Sequence, residues 1–344
     1  MNKLTKIGVS ALCGSLAAIS AAKAGELSVS GGANMTLTKL GYGNTGNPLG
    51  MASSMTFTGS GELDNGSTVT INIAHNDKNV YSASDISIAT PSMGTFTYDE
   101  GGGTGIDRFD DKMPTAWEET NGTGVAAGFT TVSGVGGMTD IEWAMPADML
   151  PDGVSAYVAF SPKPDGSKNT DKSSGAASNS AIDGWGYDIA VSHTGLADGL
   201  EVFGGYSVIP QYKSATAGVG YTNDKTSKVL GLTYAMGAAT VGYQYSIEDL
   251  NWGVDGSTSH YANNAFGISF SVNDDLSISY GRHDSERQLN NASSIEIEAE
   301  SFQVAYSMGG ATVKIAETEV DNADYVSTTA GDKEGTTVML SLAF

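Results

Sequence analysis

Residues 263–280 read NNAFGISFSVNDDLSISY, and this stretch holds two runs of strict alternation joined by a tight turn. In residues 266–272 large apolar side chains alternate with Gly and Ser, and in residues 276–280 they alternate with Ser. Successive side chains of a strand point to opposite faces, so each run predicts a strand with one apolar and one small polar face. Asn273-Asp274 supplies the turn chemistry of a two-residue hairpin. The stretch therefore predicts an antiparallel β-hairpin.

The same alternation recurs along almost the whole chain and predicts sixteen strands. Short links, most of them rich in Asn, Asp and Gly, alternate with long polar links such as 100–138 and 161–183. Strict alternation of tight turns and long loops is typical of up-and-down barrels. The predicted strands are 26–38, 52–63, 67–76, 83–90, 94–99, 139–145, 154–160, 184–194, 199–208, 226–236, 239–247, 263–272, 275–284, 295–308, 311–319 and 335–344.

The alternation by itself is compatible with two kinds of β-protein. In a soluble sandwich the apolar face points inward, whereas in a membrane barrel it points outward to lipid and the small polar face lines the lumen. The link lengths favour the second. We therefore predict an all-β fold, a transmembrane antiparallel up-and-down β-barrel of sixteen strands, which residues 25–344 form as a single domain. Along 295–308 the pattern is imperfect, because Glu296, Glu298 and Glu300 share the face of the apolar residues. Either a bulge shifts the phase near Ala299, or that half of the strand rises above the membrane.

The first 24 residues have the pattern of a cleaved signal peptide. Two lysines near the start precede the uncharged apolar run 7–19, and residues 22–24 read AKA, which matches the A-x-A cleavage pattern. The run is too short to span a bilayer as a helix. Cys13 makes a lipoprotein signal the alternative, but lipoprotein processing requires a small residue where Leu12 stands. We therefore predict that residues 1–24 are an export signal.

Acidic residues strongly outnumber basic ones, with 39 Asp and Glu against 17 Lys and Arg and a net charge of −22. Removal of the three lysines of the predicted signal leaves 14 basic residues and a net charge of −25. A chain this acidic is not expected to bind nucleic acid through a basic patch. The only cysteine, Cys13, lies in the predicted signal, so the exported chain has no disulfide or thiolate site.

The chain shows no motif of a catalytic or metal centre. The four histidines are scattered without metal-ligand spacing, and neither a G-x-S-x-G elbow nor a phosphate-binding loop with its lysine occurs. We expect no enzymatic activity and no cofactor. Acidic stretches such as 107–111 and 321–324 leave weak Ca²⁺ binding through carboxylates open, although they do not match the EF-hand spacing.

Four short motifs resemble, in the same order, segments of the trimeric general diffusion porins of alphaproteobacterial-type Gram-negative outer membranes. The likeness covers the two ends of the chain well and the middle only through the rhythm of the strands. Phe344, after an alternating strand, is similar to the terminal aromatic residue that the barrel-assembly machinery recognises. The motifs are Val29–Met35, Phe57–Gly66, Met93–Tyr98 and Tyr306–Thr312.

The resemblance implies an outer-membrane homotrimer in contact with lipid, passing small hydrophilic solutes, with a long third loop folded into each pore. That loop corresponds to about 100–138, the longest link of the chain, and a link of this length without regular structure is uncommon unless it is functional. Solvated loop charges without a role in the pore are the alternative for its charged residues. The predicted constriction residues are Glu100, Asp107, Arg108, Asp110, Asp111, Lys112, Glu118 and Glu119.

The opposite wall departs from the family, in which basic residues face the loop. Lys314, far along the chain, is the rare basic candidate for the lumen. Because acidic rings favour cations, we predict a cation-preferring pore. The alternatives are a secreted soluble β-protein, such as an adhesin or surface-layer module, a barrel enzyme, or a substrate-selective porin. The predicted wall residues of the early strands are Asn34, Thr36, Thr56, Thr58, Thr70 and Asn72.

Overall fold

Sixteen β-strands close into one antiparallel barrel in the computed structural model of the chain. Each strand pairs with its neighbours in sequence, and β1 pairs with β16 to complete the ring. The structure describes residues 25–42, 46–77, 83–100, 102–120, 122–164, 181–216 and 218–343. The predictions for the signal peptide and for Phe344 lie outside these residues. Among the residues that are described, no helix is both long and apolar enough to cross a membrane.

The observed strands confirm the predicted order and number. Fourteen of them begin and end within three residues of the predicted bounds. The strands are β1 (Leu27–Leu40), β2 (Leu49–Glu62), β3 (Thr68–Asn76), β4 (Ala83–Thr90), β5 (Gly94–Glu100), β6 (Thr139–Ala144), β7 (Val154–Ser161), β8 (Gly186–His193), β9 (Leu200–Ile209), β10 (Lys225–Met236), β11 (Ala239–Asp249), β12 (Thr258–Ser271), β13 (Leu276–Leu289), β14 (Ile295–Met308), β15 (Ala311–Asp321) and β16 (Lys333–Ala343).

The apolar face of the alternation points outward. On β10, Leu230 is 63% exposed, while its neighbours Val229 and Gly231 face the inside. Large exposed apolar side chains recur at the outward positions of nearly every strand, for example Ile71, Ile189 and Phe270. This is the reverse of a soluble sandwich, in which such residues fill the core. The exterior therefore presents the apolar band that suits lipid.

Two strands are longer than the alternation predicts. β12 begins at Thr258, where the register shifts between Thr258 and His260, and β13 continues to Leu289. These extensions pair over polar and charged sequence such as Glu286 and Arg287, which carries no apolar alternation. The side-chain pattern therefore began β12 five residues too late and ended β13 five residues too early.

The acidic run of β14 keeps a single phase. The pairing of β14 with β13 and β15 is continuous through Ala299, which excludes the first of the two alternatives, a bulge near that residue. Glu298 and Glu300 lie on the outer face, where Arg282 of β13 binds both at 2.8 Å and also binds Asp284 at 2.9 Å. Since the outward residues from Phe302 to Met308 are apolar, the remaining interpretation is that the acidic half of β14 extends beyond the apolar band.

Candidate functional site

The described residues of the link between β5 and β6, which are 102–120 and 122–138, lie inside the barrel and are called the inner loop below. A short 3₁₀ helix, Gly105–Phe109, starts it. Phe109 stacks on Phe203 of β9 at a centroid distance of 4.9 Å, and further along the hydroxyl of Thr123 lies 2.6 Å from that of Thr318 on β15. The inner loop thus follows the inner wall from β6 to β16 and leaves most of the inner face of β1 to β5 uncovered.

One wall carboxylate joins the two ends of the inner loop. Asp188 of β8 accepts hydrogen bonds from the backbone N–H groups of Ile106 (3.1 Å), Val135 (3.0 Å) and Gly136 (3.2 Å). The Asp188 side chain is fully buried. A buried carboxylate is stable only when hydrogen-bond donors surround it, and here the backbone of the loop supplies them.

Two carboxylates of β6 support the same end of the inner loop. Glu142 accepts a hydrogen bond from the Gly105 N–H at 2.7 Å and forms an ion pair with Arg108. Asp140 accepts a hydrogen bond from the Thr104 hydroxyl at 2.7 Å. Since both side chains touch the loop, the face of β6 that carries them is the inner face.

An amide of β14 holds the middle of the inner loop. The Gln303 side-chain oxygen accepts hydrogen bonds from the N–H groups of Trp117 and Glu118, both at 3.1 Å, and its nitrogen donates to the Glu118 carbonyl at 2.6 Å. Ser279 of β13 accepts from the Ala116 N–H at 2.8 Å. An amide fits this position because it both donates and accepts.

Small residues on the wall make room for the inner loop. A Cβ on Gly205 of β9 would lie 2.4 Å from Ile106, and one on Gly242 of β11 would lie 2.5 Å from Pro114. On Gly267 of β12, a Cβ would lie 2.7 Å from the backbone oxygen of Pro114. These contacts are shorter than side chains tolerate, so glycine permits the close approach. The glycines form a trough in which the loop lies.

Both cations of the inner loop are bound to carboxylates of the wall. Arg108 pairs with Glu142 and lies over the Tyr157 ring at 3.5 Å, and Lys112 pairs with Glu201 at 2.9 Å. These pairs neutralise the basic residues of the loop and leave its own acids in excess.

The acids of the inner loop lie in two environments. Asp111 is exposed, whereas Asp107, Asp110 and Glu119 are partly buried. Burial raises the pKa of Asp107, and burial next to Asp111 and Asp107 raises the pKa of Asp110 to about 6. Burial raises the pKa of Glu119 to about 8. The Met113 N–H donates to its carboxylate at 2.8 Å, and this hydrogen bond lowers the pKa but does not offset the burial. Glu118 accepts from the Glu119 N–H at 3.0 Å.

The uncovered wall, β1 to β5, is polar and carries no basic residue at its described inward strand positions. Its inner face follows from the register, since Asp140 pairs with Asp99, Asp99 with Asp85, and Asp85 with Asn72. Asn72 donates to both Asp85 oxygens at 3.0 Å and accepts from Thr58 at 2.7 Å. Asp85 and the buried Asp99 add two carboxylates to this wall, and neither was among the predicted wall residues.

The other predicted wall residues share this inner face. On β1, Asn34 and Thr36 lie on the face of Thr38, whose hydroxyl is 3.2 Å from Thr337 beneath the inner loop. The register places Thr56 and Thr70 inward in the same way. Lys314 lies on the inner face of β15, two positions before Ala316, which is fully buried.

Glu100 is the one predicted constriction residue that the structure places elsewhere. It is the last residue of β5 rather than part of the loop, and it pairs with Thr139. The strand alternates, so Asp99 points inward and Glu100 outward, where the Ser84 hydroxyl lies 3.4 Å from its carboxylate. The prediction that Glu100 lines the constriction is therefore wrong.

Asp188, Glu142 and Gln303 hold the inner loop, and none of them was among the predicted site residues. A local signal was present, since each is a large polar residue at an inward position where neighbouring strands carry small residues. The loop residue that each of them binds was not predictable from the alternation pattern, because the two partners lie far apart in sequence. Among the described residues, no group of three or more His, Cys, Asp or Glu side chains is arranged to hold a metal ion.

The fold and the inner loop together define a porin-type barrel. No family model and no curated protein sequence matches the chain. Solved structures do match: OmpF of Salmonella typhi in complex with daunomycin has a TM-score of 0.70 and 14% identity, covering 93% of this chain and 98% of that one. The anion-selective porin of Comamonas acidovorans has a TM-score of 0.65 and 12% identity, and the match covers 93% of this chain and 100% of that one. OmpT of Vibrio cholerae in its trimer form has a TM-score of 0.63 and 12% identity, and the match covers 93% of this chain and 100% of that one.

At these identities the likeness establishes a shared fold. It does not single out the alphaproteobacterial group that the sequence motifs resemble. The expectation that the chain is not an enzyme agrees with a fold shared by proteins described as porins and as an outer-membrane channel.

Proposed function

We propose that the chain is an outer-membrane porin, a homotrimer in which each barrel passes small hydrophilic solutes by passive diffusion and prefers cations. The closed barrel with an apolar exterior and a polar interior supports the membrane pore. The inner loop, which fills part of the lumen, supports a constriction. One structural relative is described in a trimer form, which supports the assembly.

The distribution of charge around the inner loop carries the cation preference. Arg108 and Lys112 are each bound to a wall carboxylate, whereas Asp111 is exposed and the uncovered wall offers Asp85. A permeating ion therefore meets carboxylates on both sides of the lumen and no unpaired cation among the described inward positions of β1 to β5. Acidic linings of this kind favour cations.

A planar-bilayer recording in a salt gradient tests this proposal. Stepwise currents with a reversal potential toward the cation value are expected for the wild type. Asp110→Asn with Asp111→Asn should reduce that potential. Glu317→Gln with Glu319→Gln is the matched control, because it removes the same charge from the outer face of β15. Protein that stays in solution without detergent and conducts nothing would refute the pore, and an equal effect of both pairs would refute the role of the loop acids.

The cation preference is expected to rise with pH in two steps. Asp110 and Glu119 are neutral below their raised pKa values of about 6 and about 8 and negative above them. Recordings between about pH 5 and about pH 9 should therefore show the reversal potential moving toward the cation value near pH 6 and again near pH 8. Glu119→Gln should abolish only the upper step, and Asp110→Asn only the lower. A potential that does not change with pH would contradict the prediction.

The same shift in Glu119 predicts how pH affects stability. Its pKa is raised from 4.5 in the unfolded chain to about 8. Between these values the native state keeps a proton that the unfolded state has lost, so the free energy of unfolding falls as pH rises through this window. Thermal unfolding in detergent should show a lower transition temperature at about pH 9 than at about pH 6, and Glu119→Gln should reduce the difference.

A further inference from the structure

A turn in the link between β15 and β16 has an unusual backbone. Asn322, Asp324 and Tyr325 have φ angles of 56°, 58° and 56°, and none of them is glycine. Residues with side chains rarely adopt this left-handed conformation, and bulky ones adopt it least. Surrounding contacts must therefore hold residues 322–325, called the 322–325 turn below, in this shape.

The Tyr325 side chain joins the turn to the inner loop and to β13. It is 5% exposed, its hydroxyl lies 2.7 Å from the Ser285 hydroxyl of β13, and the Thr130 N–H of the inner loop donates to it at 3.3 Å. The Arg287 guanidinium lies over its ring at 4.9 Å. A ring fixed on both sides in this way accounts for a left-handed tyrosine.

The backbone of the turn is bonded to the same part of the inner loop. The Asp324 N–H donates to the Ala127 carbonyl at 2.8 Å. Lys333, at the start of β16, donates from its ammonium group both to the Ala126 carbonyl and to the Asp324 carboxylate, each at 3.0 Å. Residues 126, 127 and 130 of the inner loop are therefore all hydrogen-bonded to the turn or to Lys333, which itself binds the turn.

Beneath these bonds the inner loop packs against the wall through apolar contacts. Val125 and Ala127 are fully buried, together with Ile297 and Ala299 of β14 and Val320 of β15. A dry apolar contact inside a water-filled barrel closes this sector to ions, because ions do not enter such surroundings. Residues 125–130 therefore cover the part of the wall that β14 and β15 form.

We propose that the 322–325 turn is a positioning latch, which holds residues 125–130 against the wall and confines solutes to the side of the lumen bounded by β1 to β5. The inference rests on the proposed pore function. The turn touches no permeating solute and acts only through the inner loop. The turn has a strained backbone and is bonded to both the inner loop and β13. A single substitution in it should therefore free residues 125–130 from the wall.

Two substitutions from different elements test the latch. Lys333→Met removes both bonds of the ammonium group and keeps most of the stem, and Tyr325→Gly removes the ring while suiting the left-handed backbone. Each should raise the single-channel conductance about 1.5-fold, because the open cross-section of the lumen grows. Val326→Ala, the exposed neighbour in the same link, is the matched control and should leave the conductance unchanged. Heat resistance of the barrel in detergent should stay at the wild-type level in Lys333→Met and Val326→Ala.

A second measurement does not depend on conduction. Ala127 is fully buried and the chain has no cysteine other than Cys13 of the predicted signal, so Ala127→Cys is a clean probe. A membrane-impermeant thiol reagent should label it about tenfold faster when Lys333→Met is added, because local opening controls access. Wild-type protein without conductance would refute the pore, whatever the labelling. Conduction with unchanged conductance and unchanged labelling in the variants would refute the latch alone.

Tyr325→Phe guards against a misfolded Tyr325→Gly variant. It removes only the hydroxyl, which contacts Ser285 and Thr130, and leaves the ring in place. We expect a smaller rise in conductance than for Lys333→Met, with no loss of heat resistance. If Tyr325→Phe and Lys333→Met both behave as the wild type in conductance and labelling, the turn does not position the loop.

Discussion

Asp188→Ala is expected to free both ends of the inner loop while the barrel stays closed. The carboxylate serves the N–H groups of Ile106, Val135 and Gly136, so its loss leaves three buried donors without an acceptor. A buried N–H group without an acceptor costs about 1–3 kcal/mol. Part of the loop avoids this cost by moving into water. We expect docking of the loop to weaken by about 3 kcal/mol, roughly a 100-fold rise in the opened fraction.

Limited proteolysis in detergent measures that opening directly. Cleavage between residues 104 and 136 should become fast in Asp188→Ala and remain slow in the wild type, because proteolysis follows the population of the opened state. Single-channel records should become noisy. Asp183→Ala, an exposed position before β8, removes the same charge and should behave as the wild type. Equal cleavage of the two variants would show that Asp188 does not fasten the loop.

The strands were predictable because their signal is local. Alternation within about ten residues fixes both the strand and its two faces, which is why β10 and β15 lie where the pattern indicates. The pattern gave no signal where β12 begins at Thr258 and where β13 continues through Glu286 and Arg287, since pairing there depends on neighbouring strands and not on an apolar face. The phase of β14 was ambiguous for the same reason, and only the register with β13 and β15 resolved it.

The site was predictable in composition but not in contacts. The sequence identified the inner loop and its charges, yet Asp188 and Ile106 are 82 residues apart, and Gln303 and Glu118 are 185 apart. No local pattern joins residues at such separations. The same limit applies to the partners of Arg108 and Lys112, since Glu142 and Glu201 lie 34 and 89 residues away in sequence.

Glycines of the wall show how the strands and the inner loop depend on one another. A strand interior gains nothing from glycine, which packs no side chain and costs conformational entropy. Gly205, Gly242 and Gly267 nevertheless stand at inward positions of β9, β11 and β12, each where the loop approaches most closely. The barrel therefore gives up strand propensity at these positions so that the loop can lie against the wall and leave the opposite side open. Adding volume there should have a direct effect on the pore.

Gly267→Val is expected to narrow the pore. Its Cβ would lie 2.7 Å from the Pro114 oxygen and 3.0 Å from the Pro114 nitrogen, both backbone atoms that no rotamer change can move aside. Ordinary contact is about 3.5–4 Å, so residue 114 must shift by about 1 Å toward β1 to β5. Overpacking of this kind costs about 1–3 kcal/mol, which the higher strand propensity of valine offsets only in part.

Conductance should fall by roughly a third in Gly267→Val, since the loop moves into the open part of the lumen. Gly59→Val in β2 is the matched control, because a Cβ there meets nothing within 4 Å. It adds the same side chain to a strand glycine without touching the loop, and it should conduct as the wild type does. A conductance above the wild-type value in Gly267→Val would mean that the loop leaves the trough instead of moving across the lumen. That result would mean that packing against the wall glycines contributes more to docking of the loop than the hydrogen bonds of Asp188 and Gln303 do.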